Sequence, residues 1–212
     1  MLRLLAAFGA VLVLSLGAAP DAWADKKGKK KEKEKILEKL QLCAGCHGAD
    51  GNSAIPQNPR LAGMDKDYLA RQMADFRSGS RKSVVMAAIA STVDDRTMEE
   101  IAEHFSEQKP VKGAAADAKL AARGKAIYDD GIVGSAVPAC SGCHNDDGSG
   151  TEKYPRLAGQ HPAYVVDQMQ RFRSGERSND AKSVMRAVAK RMSDDEIGAV
   201  AEYVATLGGG AE

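Results

Sequence analysis

The sequence is short of several things. Its longest apolar stretch runs from Leu4 to Gly17. That is less than the ~20 residues a membrane helix needs, so no segment reads as a span. Neither sign of charge dominates: 30 lysines and arginines meet 29 acids, a net charge of +1. A nucleic-acid binder needs a basic face, and this balance argues against one. No run alternates apolar and polar residues as a half-buried strand does. A sheet is therefore not expected, and the βαβ setting of a thioredoxin-like motif is absent. The one tryptophan, Trp23, lies in the N-terminal leader. Cysteine occurs only four times, and the placement of those four is the most informative feature of the chain.

Cys43-Ala-Gly-Cys46-His47 recurs as Cys140-Ser-Gly-Cys143-His144. C-x-x-C-H is the attachment signature of c-type haem. Two intervening residues let both thiols reach one edge of the macrocycle, and the next histidine falls under the iron. Other readings explain less. Two disulfides would not require a histidine after each second cysteine. A structural zinc site wants four ligands together, whereas these pairs stand in separate copies of a longer repeat. Two matches in register, using every cysteine, point to two covalent haems.

Arg3, the apolar run after it and Ala22-Trp23-Ala24 read as a secretory signal peptide, residues 1–24, cleaved near Ala24. Export to the periplasm suits c-type haem. Residues 25–35 hold seven lysines and three acids and read as a solvated, disordered tail. Such a tail also offers peripheral contact with anionic lipid.

The remainder is a tandem repeat. Pro59-Arg-Leu-Ala-Gly63 matches Pro155-Arg-Leu-Ala-Gly159, and Gln72-Met-Ala-Asp-Phe-Arg-Ser-Gly79 matches Gln168-Met-Gln-Arg-Phe-Arg-Ser-Gly175, both offset by 96. Three extra residues fall between Gly175 and Met185. Each copy has fewer than 100 residues, short of core for its size, and a buried haem supplies the missing apolar mass. Helical periodicity recurs in both copies. Asp65 stands as an N-cap, Pro162 near a helix start, and Ser193 with Glu196 as a capping box. The expectation is an all-α chain with domains at 36–108 and 119–208, joined by a linker at 109–118.

The sixth iron ligand separates a carrier from an enzyme: a haem closed by His and Met moves electrons. The repeat sorts the methionines into two matched pairs, Met73 with Met169 and Met86 with Met185. The first pair lies on the apolar face of an amphipathic helix, where core packing explains it. The second follows a loop, 39 residues past His47 and 41 past His144. That leaves enough chain to offer sulfur from the opposite face, so Met86 and Met185 are the expected ligands. His104 and His161 are expected to be solvated or capping. The carbonyls of Pro59 and Pro155 are placed to accept from the ligand histidines' free ring N–H. Arg60, Arg77, Arg156 and Arg173 also repeat, and are candidates either for solvation or for the haem propionates.

With these motifs in both halves, residues 37–208 resemble the cytochrome c4 family of two-domain, two-haem bacterial cytochromes. The resemblance implies two tandem class I cytochrome c domains related by approximate two-fold symmetry. It implies axial pairs His47 with Met86 and His144 with Met185, and a carrier passing single electrons toward a terminal oxidase. Partners of that kind are a haem-copper oxidase or a quinol-cytochrome c reductase. Two other readings stand beside it: the cytochrome subunit of a flavocytochrome c sulfide dehydrogenase, and a dihaem peroxidase, which needs an open iron.

Overall fold

The computed structural model describes residues 21–208, and side chains from Glu34 onward. The expected signal peptide lies almost wholly outside the described residues. Among the described residues, those up to Lys35 form a unit of their own and those from Ile36 onward a second. Helix α1 runs over Asp21–His47, so the lysine-rich stretch 25–35 is helical and not the irregular tail its charge suggested. Lysine and glutamate are good helix formers, so propensity favours a helix here.

The larger unit holds two matching sets of helices. The first set is α2 (Lys66–Ser78), α3 (Val84–Ser91) and α4 (Asp95–Ser106). The second opens with α5 (Ala118–Asp130) and continues with α6 (Ser141–His144), α7 (Pro162–Ser174), α8 (Val184–Ala189) and α9 (Asp194–Thr206). Among the described residues there is no strand, only isolated bridges at Arg81–Arg177 and Ile132–Val137. The first motif ends α1, and the second makes up α6 and the residue before it.

The ends of these helices follow from local chemistry. Asp65 accepts the Tyr68 N–H at 2.9 Å to start α2. Ser193 and Glu196 form both bonds of a capping box on α9. Gly79 and Gly175 close α2 and α7 at φ 80° and 79°, a left-handed turn that glycine enters without penalty. The three extra residues of the second half produce a 3-10 turn, Ala181–Ser183, with Lys182 and Ser183 at positive φ.

Each half has its own apolar cluster. Met64, Tyr68, Leu69, Met98, Ile101 and Phe105 form the first, with Met73 and Phe76 against it. Ile127, Tyr128, Met192, Ile197, Val200 and Val204 form the second, with Met169 against it. Full burial of one such large side chain contributes about 1.5–3 kcal/mol. In the second half α5 crosses α9 so closely that a Cβ on Gly124 would lie 1.9 Å from the Ala199 carbonyl oxygen.

The halves meet through a polar network that repeats at the offset of 96. Arg81 donates to Gln72 Oε1 in its own half at 2.9 Å, and across the junction to Tyr164 Oη and Gln168 Oε1 at 2.7 Å each. Arg177 answers with Gln168 Oε1 at 2.7 Å, and across to Tyr68 Oη and Gln72 Oε1 at 3.2 Å each. The two guanidinium groups sit over Phe76 and Phe172, 4.6 and 4.4 Å from the ring centroids. Both arginines are buried, 7% and 8% exposed. Burial raises the pKa of the Tyr68 hydroxyl, but the charges of Arg177 and Arg81 outweigh it and hold the group below its usual value. This pattern is the two-fold relation expected from the repeat.

Candidate haem-binding sites

Both motif histidines are buried, 8% and 6% exposed. Each places its ring Nδ1 2.9 Å from a prolyl carbonyl: His47 from Pro59, His144 from Pro155. A carbonyl only accepts, so Nδ1 carries the proton and Nε2 keeps its lone pair. Burial lowers the pKa of both rings, against a smaller opposing effect of the prolyl bond. Each imidazole is thus held neutral, in one tautomer and one orientation, which is the state that ligates a metal.

In the second half a cleft with about 630 Å³ of empty space is lined by Cys140, Cys143, His144, Met169, Met185 and Met192, among others. A mainly apolar lining with a few donor side chains suits a cofactor pocket. The three methionines differ in their other duties. Met192 belongs to the apolar cluster and Met169 packs against it, while Met185 does neither. The first half repeats this division: Met64 and Met98 are in the cluster and Met73 packs on it, while Met86 stands apart. The N-cap Ser83 accepts the Met86 N–H at 3.2 Å and starts α3 at that point.

The repeated arginines divide into two kinds. Arg77 donates to the Val93 carbonyl and pairs with Asp95. Arg173 likewise donates to Ala189 O and pairs with Asp194. These tie α2 and α7 to the start of each closing helix. In Arg60 and Arg156 the Nε is buried with no hydrogen-bond partner, as is Nη2 of Arg173. Burial lowers the pKa of the Arg60 and Arg156 guanidinium groups. A half-buried guanidinium with an unpartnered N–H fits an anionic partner, and haem carries two carboxylates. Burial also pushes the Cys140 thiol up to about 11 and raises that of Cys43, so both sulfurs sit in apolar surroundings. The donor set and the unpartnered Nε of Arg60 and Arg156 fit a haem in each half, and the cleft fits one in the second.

His161 is not solvated. It is buried, and its Nε2 lies 2.8 Å from the Ser53 carbonyl of the other half. The adjacent Gln160 bridges to Arg60 by two bonds, accepting from its N–H at 2.9 Å and donating to its carbonyl at 3.0 Å. Sequence reasoning missed these roles. His104 lies in α4, edge-on to Phe105 at 5.2 Å, as expected of a residue outside the sites.

A duplicated helical fold with a covalent-attachment motif and an oriented imidazole in each copy defines a c-type cytochrome. The family model "Cytochrome c" matches twice, at residues 23–108 and 121–208. A cytochrome c4 of Azotobacter vinelandii is 39% identical over 181 residues, covering 80% of this chain and 86% of that protein. A thiosulfate dehydrogenase electron acceptor of Stutzerimonas stutzeri is 39% identical over 170 residues, covering 78% and 79%. The crystal structure of reduced recombinant cytochrome c4 from Pseudomonas stutzeri superposes with a TM-score of 0.78 at 37% identity, covering 82% of this chain and 98% of that one. The chain belongs to the cytochrome c4 family of dihaem electron-transfer cytochromes. As a member it binds two covalent haem c groups.

Proposed function

We propose that this chain is a periplasmic carrier of single electrons, with Cys43 and Cys46 anchoring one haem and Cys140 and Cys143 the other. His47 and Met86 are the axial pair of the first iron, and His144 and Met185 of the second. The haem, when bound, supplies a one-electron iron couple. The protein's work is to fix that couple's surroundings. The prolyl carbonyls of Pro59 and Pro155 orient the imidazoles. The thioethers of Met86 and Met185 would ligate the iron beside the imidazoles, and thioether ligation favours the reduced state. Arg60 and Arg156 receive the propionates. The haem domains span 36–108 and 119–208 with a linker at 109–118, and residues 1–24 are removed on export near Ala24.

The observation that carries this reading is the repetition of the imidazole–prolyl bond behind each C-x-x-C-H. An iron closed on both sides transfers electrons and does not turn over peroxide, so the chain is a carrier and not a peroxidase. Its partners are redox proteins: a quinol-cytochrome c reductase as donor and a haem-copper oxidase as acceptor, with the lysine-rich segment offering peripheral contact to the membrane. A second reading of the donor has its own support in the thiosulfate dehydrogenase electron acceptor among the relatives. Among the described residues no helix is long and apolar enough to cross a membrane.

Mass spectrometry of the denatured exported protein tests the cofactor assignment, and should give the chain from Asp25 plus two haem masses. One haem or none would overturn it. Reduction by a purified thiosulfate dehydrogenase, compared with a quinol-cytochrome c reductase, distinguishes the donors. Copurification with a flavoprotein would instead point to a sulfide dehydrogenase subunit.

A further inference from the structure

The junction between the halves has a symmetric part, described above, and a part in which the two halves contribute unequally. Gly159, Gln160 and His161 of the second half all reach the stretch between Ser53 and Arg60 of the first. The Gly159 carbonyl accepts from the Arg60 guanidinium. Gln160 closes its two bonds on the Arg60 backbone, and His161 holds the Ser53 carbonyl. This stretch carries the first haem site's supports. Ser53 Oγ donates to the Cys46 carbonyl at 3.0 Å, and Pro59, next to Arg60, accepts from His47.

The matching residues of the first half point elsewhere. Met64 is buried in its own cluster, and Asp65 caps its own helix. The amide and the imidazole therefore occur on one side only. Met64 has no group to bond the Arg156 backbone, and Asp65 is already committed.

We infer that Gln160 and His161 are positioning residues for the first haem: the second half clamps the loop that aims His47 with an amide and an imidazole, whereas the first half reaches the matching loop with the Arg71 guanidinium at the Glu152 carbonyl, three residues short of Pro155. The inference rests on the reading of His47 as an iron ligand. Two amide bonds fix the peptide units on either side of Arg60, so they set where the Pro59 carbonyl points. That carbonyl makes the imidazole a stronger donor by holding its N–H, as outer-shell acceptors do for metal-bound histidine. Loosening the clamp weakens that donation, destabilises the oxidised iron and raises the first potential. The two haems thus occupy sites of different stiffness, although their sequence motifs are alike.

The test is a redox titration of the full-length holoprotein, with NMR of the axial ligands to tell the haems apart. Gln160→Ala and His161→Ala should each shift the first haem's reduction equilibrium by ~3- to 10-fold, upward by ~30–60 mV at 59 mV per tenfold for one electron. The second haem's potential should stay in place. The His47 ring N–H should exchange faster with solvent. His161→Gln, whose amide can still donate to Ser53 O, should restore most of the effect. Met64→Leu, the change at the matching first-half position, should leave the second haem unmoved.

Equal shifts of both haems, or stability loss with no change in the first potential or in N–H exchange, would overturn the clamp. So would a shift of the second haem on Met64→Leu. A wild-type protein without a His/Met spectrum at the first haem would instead overturn the ligand assignment beneath it.

Discussion

Alanine at position 124 tests the crossing that roofs the second cleft. The new Cβ would stand 1.9 Å from Ala199 O and 2.9 Å from Tyr203 Cβ, where ordinary contact begins at 3.4 Å. The first obstacle is backbone, so no rotamer change relieves it, and α5 and α9 must part by about 1.5 Å. Overpacking of this kind costs about 1–3 kcal/mol. The change also gains about 0.8–1 kcal/mol of helix propensity. With a rigid obstacle the cost falls at the upper end, and the net loss is about 1–2 kcal/mol. Because Ile197 and Val200 of α9 line the cleft, the displacement also loosens the second haem's surroundings.

Guanidinium unfolding followed by haem absorbance reads the effect as a lower midpoint, with methionine ligation at the second haem lost first. Gly198 provides the contrast. It lies in the same helix, and a Cβ there meets nothing within 4 Å. Gly198→Ala should keep the propensity gain and stabilise by about 0.5–1 kcal/mol. A Gly124→Ala protein as stable as wild type would refute the reasoning, because it would mean the helices are not in contact there.

Three further outcomes are expected. Met86→Ala and Met185→Ala should each open one iron to carbon monoxide and lower that haem's potential, whereas Met73→Ala and Met169→Ala should cost roughly 2–5 kcal/mol of stability with ligation intact; carbon monoxide difference spectra decide between them. The capping bonds from Ser193 hold the Glu196 carboxyl below its usual pKa, so its contribution is present above the unfolded value of ~4.3 and is lost as pH falls through the lower folded value. Ser193→Ala should remove about 1 kcal/mol at neutral pH and leave that acid limb largely in place, because the backbone N–H of residue 193 still holds the carboxylate, whereas Glu196→Gln should flatten it, measured as Tm against pH. Deleting residues 25–35 should leave both potentials unchanged and alter only membrane association or oxidase reduction rate at low salt, since screening over ~8 Å weakens such contacts at physiological ionic strength.

What could be read from the sequence was local or repeated. C-x-x-C-H encodes its chemistry in five residues, and Asp65 and Ser193 cap helices that begin within three residues of them. The repeat reduced the methionines to two matched pairs, and the loop before Met86 and Met185 set them apart from Met73 and Met169, which lie on a helix face. What could not be read depends on contacts more than 80 residues apart. Arg81 and Arg177 repeat at the same offset as Tyr68 with Tyr164 and Gln72 with Gln168. That coincidence of polar residues at matched positions was the available signal for a buried junction. His161 looked like a helix-start residue because its sequence neighbours are all it shows in one dimension. For residues 25–35 charge and propensity gave opposite answers, and the structure follows propensity.

The unmatched contacts at Gln160 and His161 also act as an address. A junction built only from the arginine, tyrosine and glutamine network would be self-complementary, and a first half could pair with another first half as readily as with its own partner. Such a pair would bring Met64 and Asp65 against Ser53 and Arg60, a thioether and a carboxylate where the loop needs an amide and an imidazole. The loop's peptide groups would then be buried without partners, a cost of about 1–3 kcal/mol for each. The duplicated halves are thereby told apart at the surface where they most resemble each other, and the chain closes on itself in preference to a neighbour.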